Sequence, residues 1–137
     1  MGLILDTSAL VAWERTIGSG QEASIDPGEQ LALPAIVWAE ALVGVRLANT
    51  PRRAALRLAR LEAIRKVTGV EPFTALVAEH YADIFAELHH RGSLIPQNDI
   101  AVAATARSLG FEVLVSPKDE AHFRRVPGLG VRLFSSR

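Results

Sequence analysis

The sequence predicts an α/β protein, a three-layer sandwich whose mostly parallel central sheet is flanked by helices. Three observations predict it. Short apolar runs alternate with longer helical segments, the pattern of repeated strand–helix units. Those runs are apolar throughout rather than alternating, as in strands covered on both faces. The length, 137 residues, suits one domain with a sizeable core, so residues 1–137 are read as a single domain.

The elements follow in order. Residues 2–6 form a short buried strand. "DTSALVAWERT" begins a helix at Thr7 or Ser8. Residues 18–30 make a polar loop with a short helix around Gln21–Ser24. "LAL" at 31–33 is a second strand. Pro34 suits the first turn of a helix carrying "AIVWAEALVGVRLA". Thr50 caps a further helix with Pro51 at its first position, and Gly69 ends it. Residues 70–73 are a short strand. Thr74 caps "ALVAEHYADIFAELHHR", which Gly92 stops. "IPQNDIAVAATARSLG" is helical up to Gly110. Residues 111–116 are the clearest strand, "KDEAHFRR" is a short helical turn, and 131–134 is a last strand.

Composition narrows the chemistry. There is no cysteine, hence no disulfide framework and no thiolate metal site, which fits a reducing cytoplasm. No apolar stretch reaches the roughly 18 residues of a membrane span, and the start lacks the pattern of a signal peptide. Fifteen Lys and Arg balance fifteen Asp and Glu. Without an overall basic field, binding to a nucleic acid has to rely on local patches.

Four places put an acid where an acid is not routine. Asp6 ends the first apolar run, either as a cap for the next helix or as a group at the mouth of the sheet. In such sheets ligands sit beyond the carboxyl ends of the strands. Glu40 stands among Val37, Trp38, Ala41, Leu42 and Val43, where a charge is costly unless paired or bound to a cation. The alternative is a surface acid, or an ion pair with Arg46. Asp99 opens an alanine-rich helix, where an acid also serves the helix dipole. Asp119 and Glu120 follow the strand at 111–116, and one of the two is structural. Gathered at one mouth, such acids would repel by roughly 4 kcal/mol per pair at 4 Å and an effective dielectric near 20. A hard divalent cation, Mg²⁺ or Mn²⁺, is the natural counter-charge. His89 and His90 point apart on a helix and are read as solvated.

"LILDTSALVAW", "AIVWAEALVGV", "IPQNDIAVAATARSLG" and "LVSPKDEAHFRRVPGLGV" occur in that order across essentially the whole chain. Together they resemble the PIN-domain family, and within it the VapC-type toxins of bacterial toxin–antitoxin pairs. The resemblance implies a PIN-like fold and a metal-dependent endoribonuclease whose acidic cluster falls on Asp6, Glu40, Asp99 and Asp119. It implies Mg²⁺, with Mn²⁺ as a substitute, held by Asp6 and Asp99, with Asp119 beside them. Glu40 would bind a second ion or orient water. The loop "SPKDEAHF" is longer than many family versions, so Glu120 stands as the alternative to Asp119. Thr7 or Ser8 would position an acid or a phosphate, and Ser116 matches a hydroxyl frequent at this strand end. Products would carry a 5′-phosphate and a 3′-hydroxyl.

The same resemblance implies RNA as substrate, a cognate antitoxin protein as partner, a homodimer, and a cytoplasmic location with no membrane role. Arg46, Arg91, Lys118, Arg124 and Arg125 are the cations available to offset RNA charge. The stripe Val37, Val43, Leu47, Leu56 and Ala59 is read as mostly core, with Trp38 left over to face a partner. Two other readings remain: a non-catalytic RNA-binding or scaffold domain of the same fold, and a receiver-like phosphoacceptor with Lys118 after a late strand. A receiver, however, wants paired acids after its first strand and an aspartate after a middle one, and "LALPAIV" supplies none.

Overall fold

The computed structural model describes residues 2–135. In chain order they form β1 (Gly2–Leu5), α1 (Thr7–Ser19), β2 (Gln30–Pro34), α2 (Ala35–Arg46), α3 (Pro51–Thr68), β3 (Val70–Glu71), α4 (Ala75–His90), α5 (Gln97–Leu109), β4 (Glu112–Val115), α6 (Glu120–Arg124) and β5 (Val131–Leu133). The strands lie in the order β3-β2-β1-β4-β5, and every pairing is parallel. The expected α/β sandwich is therefore present, with a sheet that is parallel throughout. A receiver-like order would put β3 beside β1; here β4 takes that place, which overturns the receiver reading.

This order has a topological consequence. The chain winds outward from β1 through β2 to β3, then returns to lay β4 on the other side of β1. The crevice at such a reversal, beyond the strands' carboxyl ends, is where open α/β sheets bind ligands. Asp6 follows β1 and Ser116 follows β4, so the two flank it. The apolar runs explain why β1 occupies the centre: Leu3, Ile4 and Leu5 are fully buried, in register with Leu31 and Ala32 on one side and Val113 and Leu114 on the other.

The helix boundaries are set largely by local chemistry. The Thr50 hydroxyl accepts the Arg53 N–H, with Pro51 in the first turn of α3. Thr74 does the same for Val77 at the start of α4. Gly20 and Gly110 end α1 and α5 in the left-handed region, at φ 75° and 69°, which a side chain would resist. In α5 the run Ile100–Ala106 is buried on all sides, because its alanines admit α4 and the sheet at close range.

Several expectations need correction. No helix forms around Gln21–Ser24; that stretch is irregular, and the Ser24 N–H is drawn to the Ser135 carbonyl at 2.9 Å. The apolar stripe on α2 and α3 is not core beyond Val37. Val43, Leu47 and Leu56 are 55%, 78% and 48% exposed, and Ala59 is exposed too. The two helices bury Val37, Ala41, Val45, Leu61 and Ile64 instead, because the sheet fixes their rotation. Trp38 is not a free surface ring: it packs partly against the core, with the Arg65 guanidinium 5.5 Å from its centroid.

Candidate functional site

Asp6 follows β1 directly and precedes α1. It is 1% exposed, because β1 delivers it into the crevice and α1 begins directly above it. Both readings of this acid hold at once. Its Oδ1 caps α1 by accepting the Ala9 N–H at 2.8 Å. The Ser8 hydroxyl lies 2.7 and 2.9 Å from its two oxygens. The same Ser8 Oγ accepts the Ser116 N–H at 3.0 Å, so one hydroxyl ties the β1 acid to the end of β4. Burial pushes the Asp6 carboxyl up from 3.8 to about 7. The Ala9 and Ser8 hydrogen bonds oppose that rise, and the charges of Asp119 and Asp99 add to it.

Glu40 is half-buried on α2. It does not pair with Arg46; its Oε1 accepts the Thr7 hydroxyl at 2.9 Å. Adjacent residues at the start of α1 therefore serve different acids, Thr7 holding Glu40 and Ser8 holding Asp6. Asp99 stands in the first turn of α5, yet it makes no capping bond. Its Oδ2 lies 2.8 Å from His122 Nδ1 on α6, an N–H donor to the ionised carboxylate. Burial raises the Asp99 carboxyl above its ordinary value; the His122 bond pulls it down, and Asp119 and Glu40 push it up.

A cleft of about 380 Å³ brings the expected groups together. Glu40, Asp99 and Asp119 line it, with the hydroxyl residues Thr7, Ser8 and Ser116 and two cations, Arg15 and Lys118. Asp6 lies buried beneath Ser8, within electrostatic reach of Asp99 and Asp119. Asp119 makes no side-chain cap for α6, so its carboxylate is not committed to the helix. Glu120 is not in this group: its Oε2 accepts both Nε and Nη2 of Arg124, at 3.2 and 3.0 Å. A hollow under Trp13, Ile17 and Val67 is slightly larger, about 420 Å³. Its carboxylates, Glu22, Asp26 and Glu29, are not buried, so size does not select the site.

Of the expected cations only Lys118 reaches the cleft. Arg91 pairs with Glu87 and Arg124 with Glu120. Arg125 donates to the Leu94 carbonyl, and Arg46 lies exposed on α2 outside the lining. Sequence reasoning missed two residues. Arg15 shares the Ser8–Val11–Ala12 face of α1 by helical spacing, and His122 falls three positions after Asp119 on one face of a helix. Those spacings were the available signals.

The donor chemistry suits a hard divalent cation: oxygens only, in carboxyls whose burial and mutual repulsion a cation would relieve. Among the described residues, no three acidic or imidazole side chains stand close enough to enclose an ion between them. Ser8 and Ala9 engage Asp6, His122 engages Asp99 and Thr7 engages Glu40, so ion binding would draw on carboxylates already oriented by the protein.

Comparison with known proteins bears on this geometry. Residues 3–129 match the family described as PIN domain. The chain is 34% identical to Ribonuclease VapC1 of Rickettsia felis, over 100% of this chain and 99% of that one. It is 30% identical to Ribonuclease VapC of Rickettsia bellii, over 96% and 95%. The crystal structure of VapBC2 from Rickettsia felis, bound to a DNA fragment from their promoter, superposes with a TM-score of 0.80 at 20% identity. That match covers 98% of this chain and 100% of that one, and at such identity it speaks for the fold alone.

Proposed function

The chain belongs to the PIN domain family, and on that premise we propose that it is a metal-dependent endoribonuclease, the toxin component of a toxin–antitoxin pair. The observation that carries the reading is the convergence of acids from four separate elements on one crevice, with the most buried of them raised to about 7. Two relatives named as ribonucleases, similar over nearly their full length, support it.

In this reading Asp6 and Asp99 hold Mg²⁺ or Mn²⁺, and Asp119 stands beside them as the fourth acid in preference to Glu120. When bound, such an ion would make hydroxide accessible near neutral pH and would offset charge on the phosphate. The protein's own contribution is orientation. Ser8 and the Ala9 N–H fix the Asp6 oxygens, His122 fixes Asp99, and Thr7 holds Glu40, which would orient a water or bind a second ion. Lys118 and Arg15 moderate the repulsion between the acids and RNA. A cognate antitoxin partner is supported by a neighbour at 27% identity solved as a member of the VapBC family of toxin-antitoxin systems, VapBC-5 from Mycobacterium tuberculosis, and the exposed Val43, Leu47 and Leu56 leave apolar surface for a protein to cover. A homodimer and action on cytoplasmic RNA complete the proposal. Among the described residues, no helix is long and apolar enough to cross a membrane.

The test is cleavage of structured RNA by purified protein with and without Mg²⁺, set beside Asp6→Ala and Asp99→Ala. Cleavage that needs the ion and disappears in both variants is expected. Equal cleavage by all three proteins would mark a contaminant and end the proposal. Tight RNA binding by wild type with no cleavage under any divalent ion would favour the non-catalytic scaffold.

A further inference from the structure

A second hollow adjoins the acidic cleft. It measures about 420 Å³ and is lined along α1 by Ala12, Arg15 and Ser19, just beyond that helix by Gln21, and across from them by Pro117 and Phe134. Ala12, Arg15 and Ser116 line both hollows, so the two are neighbours and Arg15 stands at their boundary. We propose that this extension seats a nucleotide flanking the scissile phosphate, with Arg15 gripping the intervening phosphate and Phe134 presenting its ring to a base. This rests on the ribonuclease reading and assigns that site a strand path.

Three features argue for single-stranded RNA as the occupant. Arg15 is exposed, and among the described residues it has no carboxylate within 4 Å, whereas Arg91 and Arg124 are each paired. At the edge of the acidic cleft, a guanidinium with no carboxylate partner is free to engage a phosphate. Phe134 is half-buried: it packs against the core, its N–H is anchored to the Val115 carbonyl at 2.7 Å, and it lines the hollow, as a stacking platform would. Beyond Arg15 the hollow runs past Ser19 and Gln21 at the carboxyl end of α1, where the helix dipole is negative. A second phosphate is disfavoured there. A neutral base is not, and the exposed Gln21 amide offers it both a donor and an acceptor.

Binding is read by fluorescence anisotropy with a labelled single-stranded RNA of about eight nucleotides, in EDTA so that cleavage does not intervene. Arg15→Gln is expected to weaken binding roughly fivefold or more and to flatten the salt dependence by about one phosphate contact. Phe134→Leu keeps an apolar plug and loses the aromatic face. It is expected to cost roughly fivefold or more, a loss that vanishes for a probe made abasic at one particular position. In Mg²⁺-dependent cleavage of the same oligonucleotide, both variants should raise KM more than they lower kcat. Wild-type protein that binds and cleaves, with both variants unchanged in affinity, would overturn the strand path and leave the ribonuclease reading intact. A Phe134→Leu loss that no abasic position removes would also overturn it. Binding that depends on Arg15 and Phe134 without any cleavage would keep the path and refute the ribonuclease.

Discussion

Ser8 Oγ accepts the Ser116 N–H at 3.0 Å across a separation of 108 positions, while its own proton is directed at Asp6. One hydroxyl thus adds a side-chain tie to the backbone ladder that already joins the two strand ends at the crevice. Ser8→Ala should leave the Ser116 N–H without its partner and Asp6 with only the Ala9 cap. The expected cost is about 1–3 kcal/mol of folding stability, read from urea denaturation, with a fall in RNA cleavage beyond what that loss of stability explains. Unchanged stability would show that water replaces the hydroxyl at no cost.

Asp6→Asn should raise stability while abolishing activity. The carboxyl titrates at 3.8 ordinarily and at about 7 here, so the folded chain holds this proton more tightly than the unfolded chain. Its contribution to stability is complete below about pH 3.8 and is lost as pH rises through about 7. At about 1.4 kcal/mol for each pH unit, metal-free wild type forfeits on the order of 4 kcal/mol by neutrality. Asn preserves the cap and carries no charge. Denaturation of both proteins in EDTA at pH 5 and pH 8 should show wild type weakening with pH more steeply than the variant, which keeps only the smaller pH dependence of groups such as Asp99. Parallel behaviour would refute the burial argument.

His122→Ala should weaken Mn²⁺ binding by roughly tenfold, as removal of a group that orients a ligand typically does. His122→Asn should restore most of it, since its amide nitrogen occupies the place of Nδ1 opposite Asp99 Oδ2. Calorimetric titration with Mn²⁺ reads this without reference to turnover. Equal affinity in wild type and His122→Ala would remove His122 from the site.

Asp119→Asn and Glu120→Gln separate the two adjacent acids. Asp119 lines the cleft, and its neutralisation should lower RNA cleavage at least roughly tenfold. Glu120 is engaged by Arg124 on an exposed helical turn, where an ion pair is worth less than about 1 kcal/mol, so Glu120→Gln should leave cleavage within about twofold. The reverse ranking would move the fourth acid to Glu120.

Much of this molecule was legible from residues alone, and the divisions are physical. Buried strands such as Leu3–Leu5 and Val113–Val115 announce themselves because both faces must be apolar. Thr50-Pro51 and Thr74 announce helix starts because a cap is a contact within four residues. The acids Asp6, Glu40 and Asp99 stood out because each sits where charge is expensive. What escaped depends on the placement of distant elements. The rotation of α2 and α3, which leaves Val43, Leu47 and Leu56 outside, is set by the sheet. The Asp99–His122 bond joins residues 23 positions apart, and the Thr7–Glu40 bond joins residues 33 apart. Ser24 found a partner at Ser135 that no local propensity foretells.

Among the described elements β1 is synthesised first, and its partner β4 comes almost last. At about 5–20 residues per second, roughly 5–20 s separate the emergence of Asp6 from that of Ser116 on a translating ribosome. Throughout that interval the nascent chain carries its leading acid with no opposite wall, and Asp119 has not yet been made. Until Ser116 and Asp119 have been made, the cleft on which the proposed ribonuclease activity rests cannot assemble.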